Sequence, residues 1–184
     1  MEQKLFMVLL GCKPEGRNTE QHDIFFGISD TLTNLIPKME QFWPNVKLHI
    51  DAWRTVERIE NYKIEVLSKN ARGKNKDLSL FFINLGAYKI GEFQELHKNM
   101  LIVAKTKDEA IRLSKSDEFY KADTSNLSPS AITHVDDKYE VDDVINISEQ
   151  SFYKIIIRNH DFLDNTTKGF DKINLGFLPF SKLR

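Results

Sequence analysis

Apolar residues cluster along this chain in short runs, each bounded by glycine or by polar residues. Two of the runs, residues 5–10 (LFMVLL) and 80–85 (LFFINL), are nearly continuous and end at Gly11 and Gly86. Runs of this length next to a glycine are typical of strands that are covered on both faces. We therefore predict a buried strand at each of these places.

The two runs belong to a longer internal repeat. Residues 5–28 align with residues 80–103 without a gap, at an offset of 75, with seven identities in 24 positions. Two further tripeptides match at offsets of 85 and 91, namely residues 49–51 with 134–136 and residues 62–64 with 153–155. The offsets only increase, as insertions require, so we interpret the chain as one unit present twice.

Each copy predicts two strands, a helix and two further strands. In the first copy the helical spacing runs from Leu32 to Trp43, and Pro37 must kink or split that helix. In the second copy Thr106 and Glu109 form a capping box, and the helix is expected to end near Lys115. The remaining predicted strands are residues 24–28, 47–52 and 62–67 in the first copy, and 100–104, 132–136 and 153–158 in the second.

The predicted fold class is therefore α+β, with two tandem β-β-α-β-β repeats packed about a pseudo-twofold axis. The sheet is expected to be mostly antiparallel, with one main helix in each repeat. Residues 172–180 (KINLGFLPF) are apolar enough to pack back as an added strand or arm. The predicted boundaries are 1–67 for the first repeat, 68–79 for a polar linker, 80–158 for the second repeat and 159–184 for a C-terminal arm.

Composition and charge narrow the classes of partner. The chain has 184 residues, and its 26 basic and 27 acidic side chains give a formal charge of -1. A chain this close to neutral is not expected to bind nucleic acid, because it lacks an excess of basic side chains for the phosphates. No apolar run approaches the roughly 18 residues of a membrane-spanning helix, and a single cysteine, Cys12, excludes an internal disulfide. The sequence leaves the oligomeric state open.

The first twelve residues resemble the start of a bacterial lipoprotein, because a lysine and an apolar run precede Leu-Leu-Gly-Cys. The apolar run is only six residues long, which is shorter than the core of a signal peptide. The same pattern also recurs at residue 80, where a secretion signal has no purpose. We therefore predict a cytoplasmic protein.

Each copy has one Glu-x-His pair just before its second predicted strand. The pair is Glu20 with His22 in the first copy and Glu95 with His97 in the second. A spacing of two residues places both side chains on one face of a strand. Such a pair can bind a divalent metal, act as an acid–base pair or fasten the preceding loop by hydrogen bonds. We favour loop fastening, because a recurring loop needs its fastening in each copy, whereas a catalytic group is usually needed once.

Each copy also has a His-x-Asp pair on its third predicted strand. The pair is His49 with Asp51 in the first copy and His134 with Asp136 in the second. Asp137 adds to an acidic cluster beside the second pair, so the second copy combines nitrogen and oxygen donors. Acidic runs are usually solvated loops, and the chain has no HExxH or paired-cysteine spacing. We therefore assign no metal and no cofactor, and treat these residues with the two Glu-x-His pairs as ligand-binding candidates.

The glycines and the cysteine next to these pairs have simpler interpretations. Gly11 and Gly16 have the spacing of two glycines in a phosphate-binding loop, and so do their counterparts in the second copy. Neither pair ends in Gly-Lys-Ser/Thr or is followed directly by a predicted helix, so we do not predict phosphate binding there. We interpret them as turn glycines that need a positive φ. Cys12 aligns with Ala87, which favours a small apolar residue at a strand end over a nucleophile.

Four segments of the chain together resemble the bacterial family catalogued as domain of unknown function 1543. They read LFMVLLGCKPEGRNTEQHDIFFGI, FWPNVKLHIDAWRTVE, LFFINLGAYKIGEFQELHKNMLIVA and ITHVDDKYEVDD, and they extend from residue 5 to residue 143. The most specific parts are LG-x4-G-x3-E-x-H and H-x-D-D-K-Y. The family is similar in carrying this domain in one or two copies, and the resemblance implies no activity, cofactor or catalytic residue.

The function we predict is non-enzymatic binding of a small molecule or a protein partner. The alternative is a metal-assisted hydrolase that uses the second-copy set of Glu95, His97, His134, Asp136 and Asp137. No catalytic residue is assigned, because neither copy contains a recognisable catalytic constellation.

Overall fold

A computed structural model describes residues 2–71, 77–88, 93–116, 134–140, 152–160 and 171–184. These residues form an α+β structure of mostly antiparallel sheet with two α-helices, which confirms the predicted fold class. The chain divides into two compact units. The first comprises Met1–Gly73 and Gln150–Arg184, and the second comprises Lys74–Glu149.

The first unit contains a four-stranded antiparallel sheet. Its strands are β1 (Lys4–Cys12), β2 (Gln21–Ser29), β3 (His49–Thr55) and the late strand β10 (Asn174–Pro179), in the order β10-β3-β1-β2. Strand β1 is central, as its continuous apolar run predicts. The tail is also confirmed as an added strand, because β10 pairs with β3 along the edge of the sheet.

One face of this sheet carries the core of the unit. Phe6, Val8 and Leu10 alternate along β1 and pack with Ile50 and the helical segment in one buried cluster. The helical segment is split, as Pro37 requires, into a 3₁₀ turn (Thr33–Leu35) and α1 (Ile36–Phe42). The proline lies in the first turn of α1, where a missing N–H costs no helical hydrogen bond.

A second sheet of the first unit is formed by β4 (Arg58–Ile59), β5 (Tyr62–Ser68) and β9 (Tyr153–Asn159), in the order β4-β5-β9. Strand β4 was not predicted, because two residues are too short to show a pattern. Strands β5 and β9, which the repeat aligns with each other, pair directly with Glu65 opposite Ile156. The last strand of the predicted second repeat therefore pairs within the first unit.

The second unit contains a three-stranded sheet and a helix. Its elements are β6 (Ser79–Tyr88), β7 (Glu95–Ala104), α2 (Lys107–Ser114) and β8 (His134–Glu140), with the strand order β7-β6-β8. Helix α2 covers the face of β6 that carries Phe81, Ile83 and Leu85. Neither helix in the described part of the chain is long and apolar enough to cross a membrane.

The offsets that align the sequence also relate the strand registers of the two units. Lys4 pairs with Ser29, and Ser79 pairs with Ala104, so both members of the pair move by 75. The pairing of the first and third strands is interrupted at the same place, after Leu9 in one unit and after Asn84 in the other. An extra residue at such a β-bulge bends the strand and redirects its side chains.

The capping box of α2 is confirmed. Thr106 Oγ1 accepts a hydrogen bond of 3.1 Å from the backbone N–H of Glu109. The Glu109 carboxylate in turn accepts one of 2.8 Å from the N–H of Lys105, one residue before the cap. The helix ends at Ser114, as predicted.

We expect Thr106→Ala to destabilise the protein by about 1 kcal/mol, because the first turn of α2 loses a side-chain acceptor for its free N–H. Thr106→Ser keeps the hydroxyl and is expected to retain the greater part of that stability. Urea unfolding followed by circular dichroism measures both variants. Equal midpoints for the alanine and serine variants would show that the cap contributes nothing.

Glu65 gives a second prediction, on pH. Hydrogen bonds from Arg158, at 2.7 Å, and from Lys63, at 2.9 Å, lower the pKa of the Glu65 carboxyl. A lowered pKa in the folded state stabilises the protein above the unfolded pKa, and this contribution is lost as pH falls through the folded value. We expect Glu65→Gln to cost about 0.5 kcal/mol at pH 7, as exposed ion pairs do, and to match the wild type in acid. Urea midpoints across pH test this, and a difference that persists in acid would contradict it.

Candidate functional site

Gly11 marks the place where three strands bring candidate residues together. It lies on β1 opposite His22 of β2 on one side and opposite His49 of β3 on the other. Residues directly opposite each other in an antiparallel pair project to the same face. Leu10 and Ile50 project into the helix-covered core, so Gly11 and the two histidines lie on the other face of the sheet.

Four predicted candidates of the first copy meet above Gly11. His49 Nε2 lies 3.0 Å from a Glu20 carboxylate oxygen and 3.2 Å from Asp51 Oδ2. His22 Nε2 lies 3.2 Å from the same Asp51 oxygen and 3.7 Å from the other Glu20 oxygen. Asp51 is the residue skipped by the β-bulge, between Ile50 opposite Leu10 and Ala52 opposite Leu9. We call these four residues the Glu20/His22/His49/Asp51 cluster.

The cluster has a buried part, formed by His49 and Asp51, and an exposed part, formed by Glu20 and His22. We call the buried part its floor and the exposed part its rim. The side chains of His49 and Asp51 are 9% and 24% exposed, whereas those of His22 and Glu20 are 43% and 45% exposed. His49 Nε2 and Asp51 Oδ2 are fully buried, and among the described residues neither atom has a hydrogen-bond partner. Their 3.2 Å separation is short enough for a hydrogen bond, so it is the alignment that fails.

Phe177 is the aromatic neighbour of the cluster. Its ring, on β10, lies against the ring of His49 with centroids 4.5 Å apart. Cys12 follows Gly11 along β1, but it is buried in the core on the opposite face, with Val8 and Leu10. Burial raises the pKa of its thiol, and the negative charge of Glu20 raises it further. The thiol therefore stays protonated, which fits the interpretation of Cys12 as a small apolar residue rather than a nucleophile.

The second copy shows a different arrangement in its described part. His97 Nε2 lies 3.5 Å from a Glu95 oxygen, and His97 Nδ1 lies 3.2 Å from the amide nitrogen of Asn84. Gly86 pairs with His97 and with His134, so the backbone register is that of the first unit. For His134, Asp136 and Asp137 the structure describes the backbone of β8 and not the side chains.

The interpretation of the glycines needs one correction. Gly16 has a φ of +74°, as predicted for a turn glycine. Gly11 instead lies inside a strand, and a Cβ at this position would overlap Asp51 Oδ2 and His49 Nε2. The prediction of a turn role for Gly11 was wrong, because a glycine can be required for space as well as for conformation. Phe177 was also missed, since its contact depends on a pairing across 128 residues of chain.

In the described residues, no group of three or more His, Cys, Asp or Glu side chains is placed so that it could hold a metal ion. What the cluster offers in this arrangement is two imidazole nitrogens facing two carboxylates over a glycine. Such a group can bind a cation or a hydrogen-bond donor, or transfer protons.

We expect Gly11→Ala to push the ends of His49 and Asp51 out of the cluster, at a cost of about 1–3 kcal/mol for overpacking. Imidazole resonances in a ¹H–¹⁵N spectrum should then shift for both His22 and His49. Gly27→Ala in the same sheet is the control, since its Cβ meets Leu35 and Phe25 and not the cluster. Unchanged histidine resonances in Gly11→Ala would contradict the proposed packing.

Comparison with known proteins finds one family match, within the first unit. Residues 17–66 match the family model described as Domain of Unknown Function (DUF1543), while the second copy lies outside that match. A search of curated proteins finds no match. A crystal structure of a protein Il1583 from Idiomarina loihiensis is similar in fold, with a TM-score of 0.60 and 17% identity over 97% of this chain and 98% of that one. The predicted resemblance to this family is therefore confirmed over residues 17–66.

Proposed function

We propose that the protein binds a small ligand at the Glu20/His22/His49/Asp51 cluster and does not act as an enzyme. One observation carries this proposal, the pair of buried atoms without hydrogen-bond partners at His49 Nε2 and Asp51 Oδ2. Leaving a buried polar atom unpaired costs about 1–3 kcal/mol. Each buried polar atom without a hydrogen bond in a native protein requires an explanation, and a bound ligand supplies one.

The loop-fastening role that the sequence favours gains less support. Fastening requires hydrogen bonds, and in the described residues the two innermost atoms of the cluster make none. Glu20 and His22 are nearly half exposed, and their closest approach to each other is 3.7 Å. A long and exposed contact of this kind contributes little to stability.

The hydrolase alternative stays a prediction for the second unit. It would use Glu95, His97, His134, Asp136 and Asp137, of which His97 Nε2 lies 3.5 Å from a Glu95 oxygen. A cytoplasmic location remains part of the proposal, supported by the buried central position of residues 5–10 in β1.

Asp51→Asn tests the proposal, because it keeps the size of the side chain and removes its charge. We expect transition-metal chlorides or primary amines to include a probe that raises the wild-type Tm. Saturation at 100 times the Kd corresponds to about 2.7 kcal/mol of stabilisation. The variant should lose this gain, while Glu95→Gln in the second unit should keep it.

The stability of the free protein separates binding from loop fastening. A ligand-binding role predicts that Asp51→Asn leaves the unliganded Tm unchanged or higher, since the buried oxygen that lacks a hydrogen bond no longer carries a charge. Loop fastening predicts a loss of about 1–3 kcal/mol. The proposal fails if no probe stabilises the wild type, or if the stabilisation survives in Asp51→Asn.

A further inference from the structure

We infer that the ligand of the Glu20/His22/His49/Asp51 cluster is a divalent transition-metal ion of the zinc type. This inference rests on the proposed function, because it names the ligand class of the same site. It differs from the sequence-based assignment, which gave the chain no metal and placed the mixed donors in the second copy.

The donor chemistry selects this class of ion. Two imidazole nitrogens and two carboxylates can face a single point, and imidazole favours zinc, copper, iron and nickel over calcium and magnesium. Two carboxylates also balance the charge of a divalent cation. An anionic ligand would instead meet the negative charges of Glu20 and Asp51.

The donors lie close to the spacing of a coordinated ion. The four nitrogen–oxygen separations within the cluster are 3.0, 3.2, 3.2 and 3.7 Å. Ligand atoms about 2.0–2.2 Å from a tetrahedral zinc ion lie about 3.3–3.6 Å from each other, so the present separations fall just outside this range and small side-chain movements bring them into it. Hydrogen-bonded atoms would show similar distances, but the donor N–H would also point at the acceptor oxygen. His49 Nε2 and Asp51 Oδ2 make no hydrogen bond of that kind.

The floor of the cluster is already formed for an ion. His49 Nε2 and Asp51 Oδ2 are fully buried and converge over Gly11, where any larger residue would fill the space between them. The ring of Phe177 lies against the His49 ring and limits its movement. Two of the four donors are therefore held in place before a ligand arrives, which lowers the entropic cost of binding.

The rim donors complete the site by moving. In the described residues no group of three or more His, Cys, Asp or Glu side chains could hold a metal ion as it stands, so the side chains must rotate to enclose one. The two that need to rotate are Glu20 and His22, which are nearly half exposed. Rotamer changes of exposed side chains are fast and cost little.

The test uses the full chain without an affinity tag, treated with a chelator and then titrated with Zn²⁺ against a chromophoric competitor. We expect one Zn²⁺ in the first unit, and a loss of affinity of at least about 100-fold in Asp51→Asn and about 10-fold in Glu20→Gln. Glu95→Gln, at the aligned position of the second unit, is the matched control and should bind as the wild type does. Co²⁺ should give the intense visible absorption of a four-coordinate site in the wild type and not in Asp51→Asn.

The outcomes separate this inference from the proposed function. If an organic probe stabilises the protein through Asp51 while Zn²⁺ and Co²⁺ do not bind, the proposed function stands and the metal inference is wrong. If Zn²⁺ binding survives in Asp51→Asn, or if Glu95→Gln weakens it as much as Glu20→Gln does, the ion binds elsewhere and the inference is wrong. If nothing binds, both fail.

Discussion

The absence of a side chain at Gly11 is the constraint on which the candidate site depends. The residue lies on the central strand, with a histidine directly opposite it on each neighbouring strand. Any Cβ would occupy the space where His49 and Asp51 converge. Because strand pairing fixes the positions of the two histidines and the glycine leaves the space between them open, groups from two neighbouring strands can meet above β1.

The hydrophobic core and the candidate site lie on opposite faces of the same sheet. Phe6, Val8 and Leu10 pack into the core, and the residues between them project to the face that carries the cluster. The core side follows the hydrophobic pattern, whereas the cluster side holds buried polar atoms without partners. A site that conflicts with the local rules of packing on an otherwise consistent scaffold is typical of functional surfaces.

The two units share their strand registers and their β-bulge, but their described side chains differ at the corresponding site. In the second unit Asn84 stands where the first has Leu9, and its amide nitrogen lies 3.2 Å from His97 Nδ1. A partner at Nδ1 fixes the orientation of a histidine ring. The two units therefore share a strand register but carry different side-chain contacts at the corresponding site, and the function of one unit does not follow from that of the other.

Much of the architecture could be predicted from the sequence, because it depends on local patterns. The apolar runs indicated β1 and β6, Pro37 indicated the split helix, and Thr106 with Glu109 indicated the start of α2. Strand β4 escaped prediction because a pair of residues has no period. The candidate residues could be chosen from their spacing, since a step of two places His49 and Asp51 on one side of a strand.

Tertiary structure alone decided which candidates meet and why Gly11 is a glycine. His22 and His49 are 27 positions apart, and they approach one another only because β1 pairs with both of their strands. Phe177 reaches His49 through an edge strand formed by the far end of the chain. Sequence spacing reports neighbours along one strand, whereas proximity across strands depends on register, which the whole hydrogen-bonded sheet determines.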